Sequence, residues 1–209
     1  MDENIKVFIN CPYDIEYVPM KQALMFAVLY CGFEPQLASM IQDAGYTRLD
    51  KIKKLINDTS YGIHDISRCK ASKKNEWYRM NMPFEMGLDF GSRYFCCKDR
   101  KKNFLVLTNE RYNLHPAFSD FSGNDPLCHK NEVDRLIKIV RDFFYSAVSS
   151  NSKEKFISKA EITVAYENFQ TQLHKDFNGK KDDILEMLDD EYCYRIKSFM
   201  ELYLSLIHI

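Results

Sequence analysis

The residue best placed for chemistry is Glu85, in the segment Asn81-Met82-Pro83-Phe84-Glu85-Met86-Gly87. Pro83 is typical of a helix's first turn, where its missing N–H has no intrahelical acceptor, so Glu85 is predicted in a first turn. The helix dipole and free N–H groups there favour an ionised carboxylate. Such a carboxylate can stabilise an oxocarbenium-like sugar or attack it covalently. A glutamate also stabilises a first turn on its own, so position alone leaves both roles open.

Polar residues that could bind a ligand follow the predicted strands. Asp65 closes one strand, and acids at such positions often contact ribose or phosphate-bearing ligands, although a turn or capping role is equally open. Arg48 and Arg68 are candidate phosphate partners because guanidinium matches phosphate oxygens in a bidentate way, whereas many arginines simply lie at the surface. The other candidates for substrate binding lie in the same segments: Asn10, Cys11, Tyr13, Asp14, Asp43 and Asn81.

Several polar and aromatic residues also have a purely structural interpretation. Asp14 can cap the helix that follows it. Trp77 and Tyr78 can form an aromatic wall for a base or pack in the core. His64 lies inside a predicted strand, where a satisfied core or surface histidine is expected. The basic run from Lys98 to Lys102 is interpreted as a solvated loop before a strand.

Some common classes of site are not indicated by the sequence. It contains no Gly-x-Gly-x-x-Gly or Gly-x-x-x-x-Gly-Lys motif, which disfavours a classical dinucleotide or P-loop site. No cysteine or histidine cluster has metal-site spacing, and no serine, histidine and acid have a recognisable local spacing. We therefore expect neither a metal nor a bound cofactor.

The composition is that of a globular chain with little net charge. Its 209 residues are 45% hydrophobic and 28% charged, with a net charge of -1, so no strong field favours nucleic acid or an anionic membrane. The acidic N-terminus does not resemble a signal peptide, and no apolar run reaches the ~20 residues of a membrane span. None of the seven cysteines forms a Cys-x-x-Cys pair. We expect free thiols and a cytoplasmic protein that binds neither membrane nor nucleic acid.

Strand and helix patterns alternate along the first part of the chain. Strands are predicted at residues 5–9, 33–38, 61–67 and 103–108, with helices after each one, and Pro35 indicates an edge strand. This order favours an α/β fold of the flavodoxin or Rossmann type, with a parallel sheet covered by helices on both faces. Ligands bind beyond the carboxyl ends of such strands, so the loops there are predicted to converge on one crevice.

The chain is expected to contain an α/β domain and a helical appendage. The domain covers residues 1–150, and the polar stretch 149–153 is predicted to be a linker. Residues 151–209 form a predicted helical hairpin that turns at Asn178-Gly179-Lys180 and could pack on the domain or mediate self-association. The last residues, 204–209, resemble the translated read-through of a sequencing adapter, and we assign them no function.

Three segments resemble a bacterial family of short TIR-like proteins: Val7-Phe8-Ile9-Asn10-Cys11-Pro12-Tyr13-Asp14, Tyr61-Gly62-Ile63-His64-Asp65-Ile66-Ser67-Arg68 and the Glu85 segment. This family belongs with the nucleoside 2-deoxyribosyltransferase-like and TIR-like flavodoxin-type domains, and the resemblance covers about residues 5–147. In the deoxyribosyltransferases, a Phe-Glu-Leu-Gly-like segment carries the nucleophilic glutamate, which Phe84-Glu85-Met86-Gly87 resembles. In catalytic TIR domains, a tryptophan precedes the catalytic glutamate, and Trp77 and Glu85 follow that order at a different spacing.

The resemblance implies an enzyme that cleaves the N-glycosidic bond of a nucleotide, with NAD as the leading substrate. Glu85 would then stabilise or trap the ribosyl cation. In such an enzyme, Asp65 and Asn10 would bind ribose hydroxyls, and Arg48 and Arg68 would bind phosphate. Tyr13 or Tyr78 would stack on a ring. NAD or another nucleotide would be a substrate or ligand, and not a resident cofactor.

The same resemblance leaves other functions open. TIR-like enzymes commonly act as effectors of bacterial defence against phage, and some are activated by assembly, so a homo-oligomer is expected. A nucleotide-sensing module without catalysis would use the same crevice. A TIR-like interaction module would act through its helical faces and tail. Deoxyribosyl transfer is a variant of the enzymatic hypothesis.

Overall fold

The computed structural model describes residues 5–69, 80–95, 101–110, 121 and 123–207. Its sheet has five strands: β1 (Lys6–Asn10), β2 (Glu34–Gln36), β3 (Tyr61–Asp65), β4 (Asn103–Thr108) and β5 (Leu127–Cys128). The strand order is β2-β1-β3-β4-β5, and the pairs β1–β3, β3–β4 and β4–β5 are parallel. The predicted α/β class with a parallel sheet is therefore confirmed. Pro35 lies in the edge strand β2, as predicted.

The helices of the described residues are α1 (Val18–Tyr30), α2 (Arg48–Asp58), α3 (Asn81–Phe95), α4 (Val133–Ala147), α5 (Ser150–Lys153), α6 (Lys159–Asp176), α7 (Lys181–Leu185) and α8 (Asp189–Ile207). Short 3-10 turns lie at Ile15–Tyr17 and Ala38–Met40. The helix α5 covers most of the stretch 149–153, whose role as a linker stays a prediction. Within the described part of the chain, none of these helices combines the length and apolarity that crossing a membrane requires.

The chain forms two compact units, each assembled from separate stretches. Among the described residues, the sheet unit comprises residues 5–13 and those that lie within 36–132, and the helical unit comprises residues 14–35 and 133–207. The helices α6 and α8 contact α1 within the helical unit. The proposed division into a domain of residues 1–150 and an appendage of 151–209 stays a prediction.

The sheet unit is held together by apolar side chains of its strands and helices. Phe8 of β1 packs against Ile52, Leu55 and Ile56 of α2, and α2 begins after Thr47, whose hydroxyl accepts a hydrogen bond from the Asp50 backbone N–H at 3.1 Å. This contact is a normal N-cap. A second cluster joins Ile66, Met86, Val106 and Phe121. The two clusters fix α2 and α3, which carry the candidate site, against the strands.

The helical unit has α1 at its centre, buried along almost its whole length. Gly32 follows the C-cap of this helix with a φ of 85°, a conformation that suits glycine best. Phe33 stacks on Phe144 with ring centroids 3.9 Å apart. Asn178 and Gly179 have φ angles of 51° and 76° and form the predicted turn that follows α6.

Candidate functional site

Glu85 lies in the second turn of α3 and not in the first. The helix begins at Asn81, two residues before Pro83, and the Phe84 N–H donates to the Met80 carbonyl at 3.1 Å. The first-turn prediction is therefore wrong. Because the free N–H groups of a helix belong to its first turn, they do not explain how this carboxylate is stabilised.

The group that favours the ionised form of Glu85 is Arg48, and not the N-terminus of the helix. The Nε and Nη2 atoms of Arg48 both lie 3.2 Å from Oε1 of Glu85. The Glu85 side chain is 6% exposed, whereas that of Arg48 is 53% exposed. Burial raises the pKa of Glu85 above its ordinary value, while the charge and hydrogen bond of Arg48 act in the opposite direction. The site thus contains a nearly buried carboxyl group whose ionised form depends on a half-exposed cation.

Tyr13 extends this pair into a group of three. The Cζ atom of Arg48 lies 5.5 Å from the centroid of the Tyr13 ring, a normal cation–π distance. Tyr13 as a residue is 37% exposed to solvent. Three residues that the sequence singled out separately are therefore in contact: Tyr13, Arg48 and Glu85. We refer to them as the Glu85 group.

An open cleft of about 380 Å³ adjoins the Glu85 group. Its lining residues come from the segment after β2 and from the start of α2: Ala38, Ser39, Ile41, Gln42, Arg48 and Lys51. Lys51 donates to the Ile41 carbonyl at 2.7 Å. Arg48 therefore belongs both to the Glu85 group and to the wall of this cleft. Asp43 is outside the lining and accepts a hydrogen bond from the Gly45 N–H at 2.8 Å.

Asn10, at the end of β1, belongs to a buried hydrogen-bond network. Its Nδ2 lies 2.9 Å from the Met82 carbonyl and 3.3 Å from His64 Nδ1. Since Nδ2 can only donate, His64 Nδ1 accepts, and the proton of the ring is on Nε2, 3.1 Å from Asp89 Oδ2. Burial lowers the pKa of His64, which agrees with a neutral ring. The prediction of a satisfied core histidine is confirmed.

Lys102 completes this network from the other side of Asp89. Its Nζ lies 2.6 Å from Asp89 Oδ1 and also donates to the Ile56 carbonyl at 2.9 Å. Both charged side chains are fully buried, so the interpretation of Lys102 as part of a solvated loop is wrong. A Cβ on Gly62 would lie 2.5 Å from Asp89 Oδ2, so this approach requires glycine. Buried ion pairs are weak contributors to stability, and we infer that this one orients Asn10 and α3.

Asp65 lies in a second buried network. Its Oδ2 is 2.9 Å from His129 Nε2, and its Oδ1 accepts from the Ser67 N–H at 2.8 Å. The Asn131 N–H donates to His129 Nδ1 at 3.0 Å, so Nε2 carries the proton. The Ser67 hydroxyl lies 3.0 Å from that same Nε2. A catalytic triad needs the serine and the acid on opposite ring nitrogens, so this trio is structural.

The two networks were missed by reasoning from the sequence. Asp65 and His129 are 64 residues apart, and His64 and Asp89 are 25 apart, so no local spacing identifies them. The proposed contact of Asp65 with ribose stays a prediction. In this structure both carboxylate oxygens of Asp65 hold protein groups, and the side chain is fully buried.

The remaining candidates lie in different surroundings. Cys11 is buried in the sheet unit. Asp14 belongs to the helical unit and makes no side-chain cap to the 3-10 turn that follows it. Arg68 is half-buried, and Asn81 is exposed at the start of α3. Trp77 and Tyr78 lie outside the described residues.

Neither a metal centre nor a known relative accounts for the site. Among the described residues, no group of three or more histidines, cysteines, aspartates or glutamates could hold a metal ion. No protein-family model, curated protein or solved structure matches the chain. The resemblance to TIR-like and deoxyribosyltransferase-like proteins therefore rests on the sequence segments alone and stays a prediction.

Proposed function

We propose that the protein cleaves the N-glycosidic bond of a nucleotide, with NAD as the leading substrate and Glu85 acting at the anomeric carbon. The ion pair between Glu85 and Arg48 carries this proposal. It joins a nearly buried carboxyl group with a raised pKa to a half-exposed cation at the edge of a cleft. A carboxyl group whose pKa is shifted by burial, and which has a charged partner beside a cleft, is a candidate for a functional site.

The reaction would use the carboxylate form of Glu85. The bond between C1′ and the base nitrogen breaks, and its electron pair moves to that nitrogen. In NAD this step neutralises the pyridinium ring, so nicotinamide leaves without needing a proton. The positive charge that develops on C1′ and the ring oxygen would be stabilised, or trapped covalently, by Glu85. Water then adds at C1′ and loses a proton, which yields ADP-ribose.

Other residues of the sheet unit supply groups suited to a nucleotide. Both hydrogen bonds of Asn10 are donated from its Nδ2, which leaves Oδ1 as the atom for accepting a hydrogen bond from a ribose hydroxyl. The partly exposed Tyr13 ring could stack on a base. Arg48 could bind phosphate with its planar donor group.

The biological role that we propose is an effector of bacterial defence against phage, as the resemblance to TIR-like proteins implies. Consumption of NAD would stop the growth of an infected cell. Such activity needs control, and self-assembly of the chain would provide it. Exposed apolar side chains on α8, Tyr194 and Leu202, support a homo-oligomer formed through the helical unit.

The proposed activity can be tested by chromatographic measurement of nicotinamide release from NAD. We expect Glu85→Gln to lower the rate at least about 100-fold, the cost of removing a charge-stabilising group from a transition state. Glu132→Gln is the matched control, since Glu132 is an exposed glutamate of the same unit. Release that continues at the full rate in Glu85→Gln would contradict the proposal.

A nucleotide sensor without catalysis is the second candidate, and the burial of Glu85 favours it. A carboxyl group whose pKa is raised can remain protonated and donate a hydrogen bond to a ligand. Incubation with a panel of nucleotides separates the two functions by mass spectrometry. Intact bound nucleotide indicates a sensor, and a released base indicates the enzyme.

A further inference from the structure

The contact between Arg48 and Glu85 has the geometry of a pair that can exchange partners. Strong arginine–carboxylate pairs use two donors on two oxygens, at distances of about 2.7–2.9 Å. Here both donors, Nε and Nη2, meet the single oxygen Oε1 at 3.2 Å. The arginine is also half exposed, so an anion from solvent can reach it.

The cleft beside Arg48 has the charge that an anion requires. Two of its lining residues, Arg48 and Lys51, are cations, and none of the six is acidic. Ser39 and Gln42 supply polar groups in the same wall. A volume of about 380 Å³ is sufficient for a pyrophosphate group.

We propose that this cleft is a phosphate subsite, and that a phosphate bound there takes the Arg48 guanidinium away from Glu85. Phosphate offers two oxygens to the planar donor group, whereas Glu85 now offers one. The inference rests on the proposed function for the role of Glu85. It deepens that proposal, because binding of the substrate's own phosphate to Arg48 would separate this arginine from Glu85.

The charge balance of the site identifies the class of substrate. Removal of Arg48 leaves the buried Glu85 carboxylate without the cation that offsets its desolvation. A substrate that combines a pyrophosphate with a positively charged glycosidic ring replaces the lost cation at the same time. A neutral nucleoside has no phosphate to bind Arg48 and no positive charge to replace it, so Arg48 stays paired with Glu85. The site therefore favours cationic dinucleotides over nucleosides.

The first test is titration calorimetry with inorganic pyrophosphate. We expect Arg48→Gln and Lys51→Gln to weaken its binding at least about tenfold, which corresponds to one charge-assisted hydrogen bond. Lys54→Gln is the matched control, because Lys54 lies on the same helix and pairs with Asp58 outside the cleft. The affinity of Lys54→Gln for pyrophosphate should differ from that of the wild-type protein by less than about twofold. No binding by the wild-type protein, or an equal loss in all three variants, would overturn the inference.

The second test follows Glu85 itself by carbon-13 NMR of its carboxyl group, assigned by its absence in Glu85→Gln. Pyrophosphate should shift this resonance toward the protonated value in the wild-type protein and leave it unchanged in Arg48→Gln. Because the Arg48 side chain is half exposed, this variant is expected to fold normally. Arg48-dependent binding with an unmoved Glu85 resonance would overturn the exchange of partners.

Neither test requires cleavage of a nucleotide. If Glu85→Gln loses nicotinamide release but pyrophosphate does not bind, the proposed function stands and the phosphate subsite fails. If pyrophosphate binds and shifts the Glu85 resonance in a protein that releases no base from any nucleotide, the subsite stands and the enzymatic proposal fails.

Discussion

Glu85 and Asp89 lie four residues apart on α3, both are buried, and each is paired with a cation of very different exposure. Asp89 contacts the fully buried Lys102 at 2.6 Å, whereas Glu85 contacts the half-exposed Arg48 at 3.2 Å. Residues at this spacing lie on the same side of a helix. One side of α3 thus carries one fully buried ion pair and one ion pair whose cation is half exposed.

The raised pKa of Glu85 predicts that the wild-type carboxylate lowers stability at neutral pH. A carboxyl group whose pKa is raised by folding favours the folded state when protonated, and this contribution is lost as pH rises through its ordinary and raised values. Glu85→Gln should therefore be more stable than the wild-type protein at about pH 7.5, with a higher midpoint of urea denaturation. The difference should vanish at about pH 4. Glu132→Gln should show neither effect, and a destabilised Glu85→Gln at neutral pH would contradict the argument.

The buried pair of Lys102 and Asp89 predicts strong coupling between two substitutions. Lys102→Met leaves the Asp89 charge buried without its lysine partner, and should cost about 3–5 kcal/mol of unfolding free energy. Adding Asp89→Asn removes that charge, so the double variant should be more stable than Lys102→Met alone. Urea denaturation of the four proteins of the cycle measures the coupling. Additive effects would show that the two charges do not depend on each other.

The close approach at Gly62 predicts opposite outcomes for two glycine substitutions. Gly62→Ala places a methyl group 2.5 Å from Asp89 Oδ2 and 2.8 Å from His64 Nε2, and should cost at least about 2 kcal/mol. Gly87→Ala is the control, because a Cβ there meets nothing within 4 Å and the residue lies within α3. That variant should gain about 0.5–1 kcal/mol from helix propensity. Thermal unfolding of both proteins decides between these expectations.

The shared nitrogen of His129 predicts that Ser67 is not a nucleophile. Ser67→Ala removes a hydroxyl that accepts from Nε2, so unfolding free energy should fall by about 1 kcal/mol. Nicotinamide release should stay within about twofold of the wild-type rate, as for a substitution away from the chemistry. A loss of release as large as that expected for Glu85→Gln would instead place Ser67 in the reaction.

Elements with a strong local pattern could be predicted from the sequence. The apolar run at residues 103–108 matches β4, and the turn predicted at Asn178-Gly179-Lys180 follows α6. The start of α3 was placed too late because a proline is tolerated throughout the first turn of a helix, so Pro83 does not fix which residue begins it. The strand β5 has only two residues, which are too few to show the alternation of apolar and polar residues that identifies a strand.

The sequence by itself determined the α/β class, the position of β4 and the candidacy of Glu85, because these depend on composition and on neighbours along the chain. Only the tertiary structure decided that Arg48, 37 residues away, pairs with Glu85, and that Asp65 and Lys102 are buried. Burial and long-range contact depend on how strands and helices pack, and they set the pKa of Glu85. The sequence therefore identifies Glu85 as a candidate, whereas the charges and the burial that act on its carboxyl group arise from the fold.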